Sequence, residues 1–215
     1  MFPRLYAMIE ASLLSDSDSP PTDLGLATAQ MLADSGVELM QYRNKLSNSR
    51  QLCEISLRFV QGLAAAPVRF IVNDRPDIAI LTGAGGVHVG QTDLGVEQAR
   101  AICGAGLWVG VSTHNLDQVR EADKSSADYI AFGPVFPTAT KQNPDPVVAL
   151  EGLREARKLT RKPLVAIGGI TLERASEVYA AGADSICVAR DLLCAADPSR
   201  RAREYLRIGA EAARA

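Results

Sequence analysis

The sequence lacks the features that mark several large classes of protein. Its 215 residues carry 23 lysines and arginines against 25 aspartates and glutamates, so the net charge is only -2. This balance leaves no basic footprint for nucleic acid or for an anionic membrane surface. No apolar run reaches the roughly 20 residues that a membrane-spanning helix needs. We therefore expect neither nucleic acid nor a membrane as a partner.

Cysteine is scarce, and its four copies show neither metal-site nor redox spacing. Cys53, Cys103, Cys187 and Cys194 form no Cys-x-x-Cys motif. Buried free thiols in a reducing compartment fit this distribution better than a disulfide framework does. Glu10 also interrupts the apolar residues near the N-terminus early, which argues against a signal peptide. The sequence therefore predicts a cytoplasmic protein.

What the chain does contain is a regular alternation of short apolar runs with longer amphipathic stretches. Strands are predicted at residues 5–9, 38–42, 69–72, 86–89, 108–111, 129–132, 164–167 and 185–188. Helices are predicted at residues 24–35, 49–65, 76–82, 96–103, 116–124, 149–160, 172–181 and 198–213, and residues 15–23 read as a mobile polar loop. This pattern favours an α/β fold, a (β/α)8 TIM barrel that forms a single domain over residues 1–215. The alternative is a doubly wound open sheet, but the Gly-x-Gly-x-x-Gly fingerprint expected after its first strand is absent.

Two aspartates stand at the ends of neighbouring predicted strands, where a barrel carries its active site. Asp74 follows the strand at 69–72, and Asp93 comes shortly after the strand at 86–89. Paired carboxylates suit Mg²⁺, which proteins usually hold with one or two carboxylates and the phosphates of a substrate. Each aspartate alone could instead cap the helix that follows it. Their occurrence at adjacent strand ends favours a metal site and a phosphorylated substrate.

Cationic and hydroxyl side chains are predicted at the same end of the barrel. In the extended segment after the second strand, Gln41, Arg43 and Lys45 share one face, which suits a phosphorylated ligand; a solvated strand end is the alternative. Ser112 is a candidate phosphate donor, because no Gly-x-Ser-x-Gly elbow supports a hydrolase. His88 lies in the middle of its strand and is interpreted as a structural histidine.

Two later loops add further candidate phosphate ligands. Thr138, Thr140 and Lys141 follow the sixth strand in a proline-framed loop, where Lys141 would neutralise a leaving phosphate. A Schiff-base role for Lys141 is less favoured, because such a lysine usually needs desolvation. Gly168-Gly169 precedes a helix after the seventh strand, which is the usual phosphate site of a barrel.

Taken together, these motifs resemble those of the thiamine-phosphate synthase family. The matching segments run in the family's order: Gln41-x-Arg43-x-Lys45, Asn73-Asp74-Arg75, Gly86-Val-His-Val-Gly-Gln-x-Asp93, Ser112-Thr-His, Gly133-Pro-x-Phe-Pro-Thr138-x-Thr140-Lys141 and Ala166-Ile-Gly-Gly-Ile170. The resemblance implies a Mg²⁺-dependent transferase of thiamine biosynthesis. It would join an aminopyrimidine diphosphate to thiazole phosphate, or to its carboxylate, through a pyrimidine cation formed as diphosphate departs.

The resemblance also implies a role for each matching residue. The pyrimidine diphosphate would be held by Gln41, Arg43, Lys45, Asn73, Ser112 and Lys141. Asp74 and Asp93 would bind Mg²⁺. The thiazole phosphate would face Thr138, Thr140 and the backbone N–H of Gly169. Catalysis is expected from the side chains that would stabilise the departing diphosphate, namely Arg43, Lys45, Ser112 and Lys141.

Two segments depart from the family's pattern. The first strand usually ends in an Ile-Thr-Asp-like sequence, but here it reads Ala7-Met-Ile-Glu-Ala-Ser12. After the eighth strand the family usually has a Ser-Ala pair, whereas this chain has Ala189-Arg190. Their backbone N–H groups would still hold the thiazole phosphate. Arg190 would either add a cation there or form an ion pair with Asp191 or another neighbour.

Two other functions stay open as alternatives. One is a thiazole tautomerase of the same superfamily, which does not need a site for Mg²⁺ and diphosphate. The other is a non-catalytic phosphate-binding barrel, which would not require two carboxylates beside a cationic cluster. The presence of Asn73, Asp74, Asp93 and Lys141 favours the synthase over both. The oligomeric state is open too, with a homo-oligomer among the alternatives.

Overall fold

The structure is a closed barrel of parallel strands. The computed structural model describes residues 1–14, 21–138, 140 and 145–214. The strands are β1 (Leu5–Glu10), β2 (Leu39–Arg43), β3 (Arg69–Asn73), β4 (Gly86–Val89), β5 (Trp108–Thr113), β6 (Tyr129–Phe132), β7 (Leu164–Ile167) and β8 (Ser185–Val188). Each strand pairs in parallel with the next, and β8 pairs with β1. The predicted (β/α)8 barrel is confirmed.

Helices cover the outside of the barrel. They are α1 (Pro21–Asp34), α2 (Ser49–Gly62), α3 (Pro76–Thr82), α4 (Val96–Cys103), α5 (Leu116–Lys124), α6 (Ala149–Leu159), α7 (Leu172–Ala180), α8 (Arg190–Leu193) and α9 (Pro198–Ala212). The start of α9 is capped, since the Asp197 carboxylate accepts the Arg200 N–H at 2.9 Å and Pro198 follows the cap. Within the described ranges, no helix combines the length and apolar character that crossing a membrane requires.

A few element boundaries differ from the sequence-based expectation. Helix α1 begins at Pro21 rather than at residue 24, because proline suits the first helical turn and Asp23 there complements the helix dipole. The polar loop predicted at 15–23 therefore overlaps α1 at residues 21–23. Residues 15–20 of that loop lie outside the described part of the chain. A 3-10 helix (Ala11–Leu13) and α8 were not predicted, because elements this short show no periodicity.

The apolar side chains form an outer layer between strands and helices and an inner layer inside the barrel. The inner layer contains buried side chains from several strands, including Tyr6, Ile71 and Tyr129. Phe2 stacks on Trp108 with 5.2 Å between the ring centres and adds to this layer. Because strand side chains alternate between inside and outside, these layers are built from neighbouring residues of the same strands.

The cysteines agree with the expectation of free thiols. All four are free, with Cys103 and Cys187 buried, Cys53 half-buried and Cys194 exposed. The expected burial therefore holds fully for only two of them. Cys53 lies on α2 and Cys194 directly follows α8, and in both places the side chain is reached by solvent.

We expect Gly133→Ala to lower the free energy of unfolding by on the order of 3 kcal/mol. A β-carbon at Gly133 would lie 2.1 Å from the backbone oxygen of Ile167, which cannot move aside as a side chain can. The melting temperature should fall by roughly 6–12 °C in a thermal melt. Gly106→Ala is the matched control, since a β-carbon there meets nothing within 4 Å. Equal melting of the two variants would contradict the steric argument.

Candidate active site

A cavity of about 590 Å³ opens at the C-terminal ends of the strands, where barrel enzymes carry their active sites. Every predicted site residue that the structure describes lines it: Gln41, Arg43, Lys45, Asn73, Asp74, Asp93, Ser112, Thr138, Thr140, Gly169, Ala189 and Arg190. The remaining predicted site residue, Lys141, lies outside the described residues. Motifs spread from β2 to β8 thus converge on one cavity.

The two predicted metal ligands are neighbours in this cavity. The carboxyl groups of Asp74 and Asp93 lie close enough for one to affect the ionisation of the other. Burial raises the pKa of Asp93 most, and the adjacent Asp74 carboxyl raises it further, whereas the Gly90 N–H, 2.8 Å from Asp93 Oδ2, acts in the opposite direction. Two carboxylates held this close repel each other unless a cation or a proton lies between them.

Neither aspartate caps the helix that follows it, so the capping alternative is wrong. Helix α3 has Arg75 at its N-cap and α4 has Gly95, and neither end carries a side-chain cap bond. Asp74 instead adopts a left-handed backbone with φ of 63°, a conformation that aspartate tolerates better than most residues. Its N–H donates to the carbonyl of His88 at 2.8 Å, which ties this turn to the next strand.

The cationic side chains at the end of β2 and just after it form ion pairs at the cavity wall, so they are not freely solvated. Lys45 pairs with Asp74, and Arg43 pairs with Glu10. Glu10 is only 3% exposed and lies opposite Arg43 in the register of β1 and β2. A buried carboxylate needs such a partner, and in return it fixes the guanidinium of Arg43 at the cavity.

Glu10 was not among the predicted site residues. It lies in the segment that departs from the family's pattern, at the C-terminal end of β1. A charged residue at a barrel strand end, beside an arginine on the next strand, was the signal that could have identified it.

A chain of hydrogen bonds crosses the barrel interior beneath the cavity. Gln41 Nε2 donates to the Tyr6 hydroxyl at 2.6 Å, and the hydroxyls of Tyr6 and Tyr129 are 3.1 Å apart. The Tyr129 hydroxyl lies 3.0 Å from His88 Nδ1, and His88 Nε2 lies 2.8 Å from Ser112 Oγ. Burial lowers the pKa of His88 to about 4, so its imidazole is neutral at neutral pH. The interpretation of His88 as a structural histidine agrees with these contacts.

The two glycines after β7 bring the backbone close to the loop that follows β6. Gly168 and Gly169 have φ angles of 97° and 64°, which side chains other than glycine rarely adopt. A β-carbon on Gly169 would lie 2.4 Å from the carbonyl oxygen of Pro137. The Phe136 N–H also donates to the Gly168 carbonyl at 3.0 Å. Thr138 and Gly169 therefore reach the cavity from two loops that are packed directly on each other.

Arg190 supplies charge where the cavity meets the end of β8. It begins α8, is exposed, and makes no ion pair with any residue that the structure describes. The alternative pairing with Asp191 is wrong, because Asp191 instead pairs with Arg201 at 2.6 Å and accepts the Tyr205 hydroxyl at 2.6 Å. The Arg190 guanidinium is thus available to an anionic ligand.

A third arginine at the cavity, Arg174, was missed by sequence reasoning. Arg174 in the first turns of α7 donates to the Gly169 carbonyl at 3.2 Å, and its guanidinium lies 4.5 Å from the ring centre of Phe136. A cation so near the N-terminus of a helix opposes the helix dipole. That unfavourable position, directly after the Gly168-Gly169 segment, was the signal available in the sequence.

Comparison with known proteins identifies the family. Residues 12–192 match the family model described as thiamine monophosphate synthase. The chain belongs to this family. The thiamine-phosphate synthase of Koribacter versatilis is 49% identical over 208 residues, which cover 96% of this chain and 95% of that protein. The enzyme of the same name from Methanosarcina mazei is 34% identical over 210 residues, covering 94% and 87%.

A solved structure agrees with this assignment. The thiamine phosphate pyrophosphorylase from Pyrococcus furiosus superposes with a TM-score of 0.84 and 31% identity, covering 97% of this chain and 96% of that one. The resemblance seen in the motifs is therefore confirmed. So is the predicted class, a transferase of thiamine biosynthesis.

We expect Asp74→Asn and Asp93→Asn each to reduce turnover of the family's reaction by on the order of 100-fold, since each removes a charge from the paired site. The melting temperature should be unchanged or slightly higher, because either substitution relieves the repulsion between the two carboxylates. Asparagine also tolerates the left-handed backbone of Asp74. Activity assays and melts of the same preparations give both quantities.

Asp77→Asn is the matched control for these variants. Asp77 pairs with Arg75 at the start of α3 and is not among the residues that line the cavity. Its turnover should stay near that of the parent. Loss of stability in step with loss of turnover in Asp74→Asn or Asp93→Asn would show that the pair is structural.

Proposed function

We propose that this chain joins an aminopyrimidine diphosphate to a thiazole phosphate, giving thiamine phosphate and diphosphate. The observation that carries the proposal is the proximity of Asp74 and Asp93 in the cavity, with Lys45 paired to Asp74. Carboxylates suit a divalent metal, and adjacent cations suit the diphosphate that the metal would accompany. Neither alternative function requires this combination.

The residues present fit Mg²⁺ as the metal. Among the described residues there is no group of three or more His, Cys, Asp and Glu side chains that could hold an ion. Asp74 and Asp93 would therefore supply two oxygen ligands and leave the other positions to water and diphosphate, which is how Mg²⁺ is usually bound. When bound, Mg²⁺ would supply positive charge against the departing diphosphate.

The chain's own residues would stabilise the leaving group. Arg43 and Lys45 would contact the diphosphate oxygens, and Ser112 would donate a hydrogen bond to them. The ion pair with buried Glu10 supports this role for Arg43, because it fixes the guanidinium before the substrate arrives. Lys141, outside the described residues, would add another cation. The bond from carbon to diphosphate would break first, and the thiazole nitrogen would then attack the pyrimidine cation.

Separate residues would recognise the organic parts of the two substrates. Gln41 is buried at the cavity wall and its Oε1 has no hydrogen-bond partner among the described residues, so it suits an N–H of the pyrimidine. Asn73 ends the next strand, lines the same cavity and would add an amide to the same substrate.

The thiazole phosphate would bind to other residues of the same cavity. Its ligands would be Thr138, Thr140, the backbone N–H groups of Gly169 and Ala189, and the side chain of Arg190. The free cysteines support a reducing, cytoplasmic location for this chemistry.

The deciding experiment mixes both substrates with the purified protein and Mg²⁺ and measures thiamine phosphate. Product that disappears with EDTA and returns with added Mg²⁺ would support the proposal. Absence of product with either thiazole phosphate or its carboxylate would overturn it. Isomerisation of the carboxylated thiazole without the pyrimidine would instead identify the tautomerase.

Arg190→Ala should raise the KM for thiazole phosphate about tenfold, the loss of one charge-assisted contact. The KM for the pyrimidine diphosphate should change little, because Gln41, Asn73 and Ser112, which would hold it, belong to β2, β3 and β5 rather than to the segment after β8. Arg200→Ala is the control, since Arg200 is an exposed residue of α9 paired with Glu204. An unchanged KM for thiazole phosphate in Arg190→Ala would exclude Arg190 from that site.

A further inference from the structure

We propose that the hydrogen-bond chain from Gln41 to Ser112 runs in one direction only. Tyr6 and Tyr129 would then be positioning residues that keep the Ser112 hydroxyl a donor toward an anionic ligand. The inference deepens the proposed function and rests on it in one respect, because it takes a diphosphate to be the anion beside Ser112. The direction of the chain itself follows from the orientation of the Gln41 amide, whose Nε2 donates to Tyr6.

The first half of the direction follows from Gln41. Its Nε2 can only donate hydrogen bonds, so the Tyr6 hydroxyl must accept at their 2.6 Å contact. The proton of Tyr6 then needs an acceptor of its own, and the Tyr129 oxygen at 3.1 Å provides it. The reverse donation, from Tyr129 to Tyr6, would leave the buried Tyr6 proton without a partner, which carries a free-energy cost. Tyr129 is therefore an acceptor from Tyr6.

The second half follows from His88. The Tyr129 proton is left for His88 Nδ1, 3.0 Å away, so that this ring nitrogen accepts. A neutral imidazole carries one proton, which must then sit on Nε2 and be donated to Ser112 Oγ at 2.8 Å. Among the described residues the two ring nitrogens of buried His88 contact only hydroxyl oxygens, so no carboxylate is there to stabilise a second ring proton. The hydroxyl proton of Ser112 finds no acceptor among the described residues and is free for a ligand in the cavity.

The orientation of the Gln41 amide determines what both ends of the chain offer to a ligand. If the amide were turned over, every hydrogen bond would reverse. Ser112 would then donate its proton to His88, and only the lone pairs of its oxygen would face the cavity. In the direction given above, the buried Gln41 Oε1 is left as an acceptor without a partner among the described residues. A ligand with an N–H at one end and an anionic oxygen at the other satisfies both ends at once. A pyrimidine diphosphate has both groups.

The two tyrosines are suited to transmit this direction because they remain protonated. Both are fully buried, and burial raises the pKa of each above the usual value for tyrosine. A phenol that stays neutral always has one proton to donate and one lone pair to accept with, so each passes the direction on unchanged. Phenylalanine at either position would interrupt the chain while it fills nearly the same volume.

The test uses the small number of histidines in the chain. With only two, nitrogen-15 labelling of histidine gives a simple spectrum, and comparison with His114→Gln assigns the signals of His88. In the parent protein we expect His88 protonated at Nε2 and unprotonated at Nδ1. In Tyr129→Phe we expect a mixture of the two tautomers, since Nδ1 has lost its donor. A parent protein with the proton on Nδ1 would overturn the proposal.

Ligand binding gives the second readout. The probe is inorganic diphosphate with Mg²⁺, so the measurement does not require that the protein make thiamine phosphate. We expect the Kd to rise about tenfold in Tyr129→Phe and in Tyr6→Phe, the size of one ordinary hydrogen bond. In a Ser112→Ala background, Tyr129→Phe should add nothing further, because the donor it orients is already gone. Additive effects would overturn the proposal.

Tyr179→Phe is the matched control for both readouts. Tyr179 is another buried tyrosine, but its hydroxyl donates to the Arg4 carbonyl at 2.7 Å, away from the chain. It should leave the His88 spectrum and the diphosphate Kd unchanged. An equal change in this control would show that loss of any buried hydroxyl loosens the barrel. Diphosphate binding and a normal His88 spectrum without thiamine phosphate formation would sink the proposed function and leave the directed chain intact.

Discussion

The closure of the barrel between β1 and β8 is the constraint on which the whole site depends. The two strands pair in parallel from Leu5 opposite Ile186 to Ala7 opposite Val188. Because every strand runs the same way around a closed ring, the C-terminal ends all surround one opening. Glu10 from the first strand and Ala189 after the last one therefore line the same cavity. An open sheet of the same strands would leave them at opposite edges.

The fold was predictable where the local chemistry marks both ends of an element. Helix α3 has the predicted bounds because Pro76 suits the first turn and Gly83 adopts the left-handed cap after the last one. Strand β6 is buried along its whole length, and its sequence is accordingly an unbroken run of apolar and aromatic residues. Helix α8 could not be predicted, since four residues are too few to show a period.

The sequence predicted which residues form the site, but it did not predict the contacts between their side chains. Strand ends identified Asp74 and Asp93, but their proximity depends on a left-handed turn at Asp74 that the sequence does not specify. Tyr6 and Tyr129 were overlooked because each reads as part of an apolar strand, and their hydroxyls meet across 123 residues of chain. Contacts of this kind arise from the geometry of the barrel interior, where polar tips of otherwise apolar side chains face one another.

The packing of Gly169 beneath Pro137 has a consequence for how this protein can evolve. The loops after β6 and β7 are separate in sequence, yet the backbone of one leaves no room for a side chain on the other. Whether a substitution in one loop is tolerated therefore depends on the residues of the other loop, so we expect the two loops to change together. New ligand preferences at this side of the cavity would then arise more readily at Arg174 and Arg190, whose exposed side chains can change without moving the backbone.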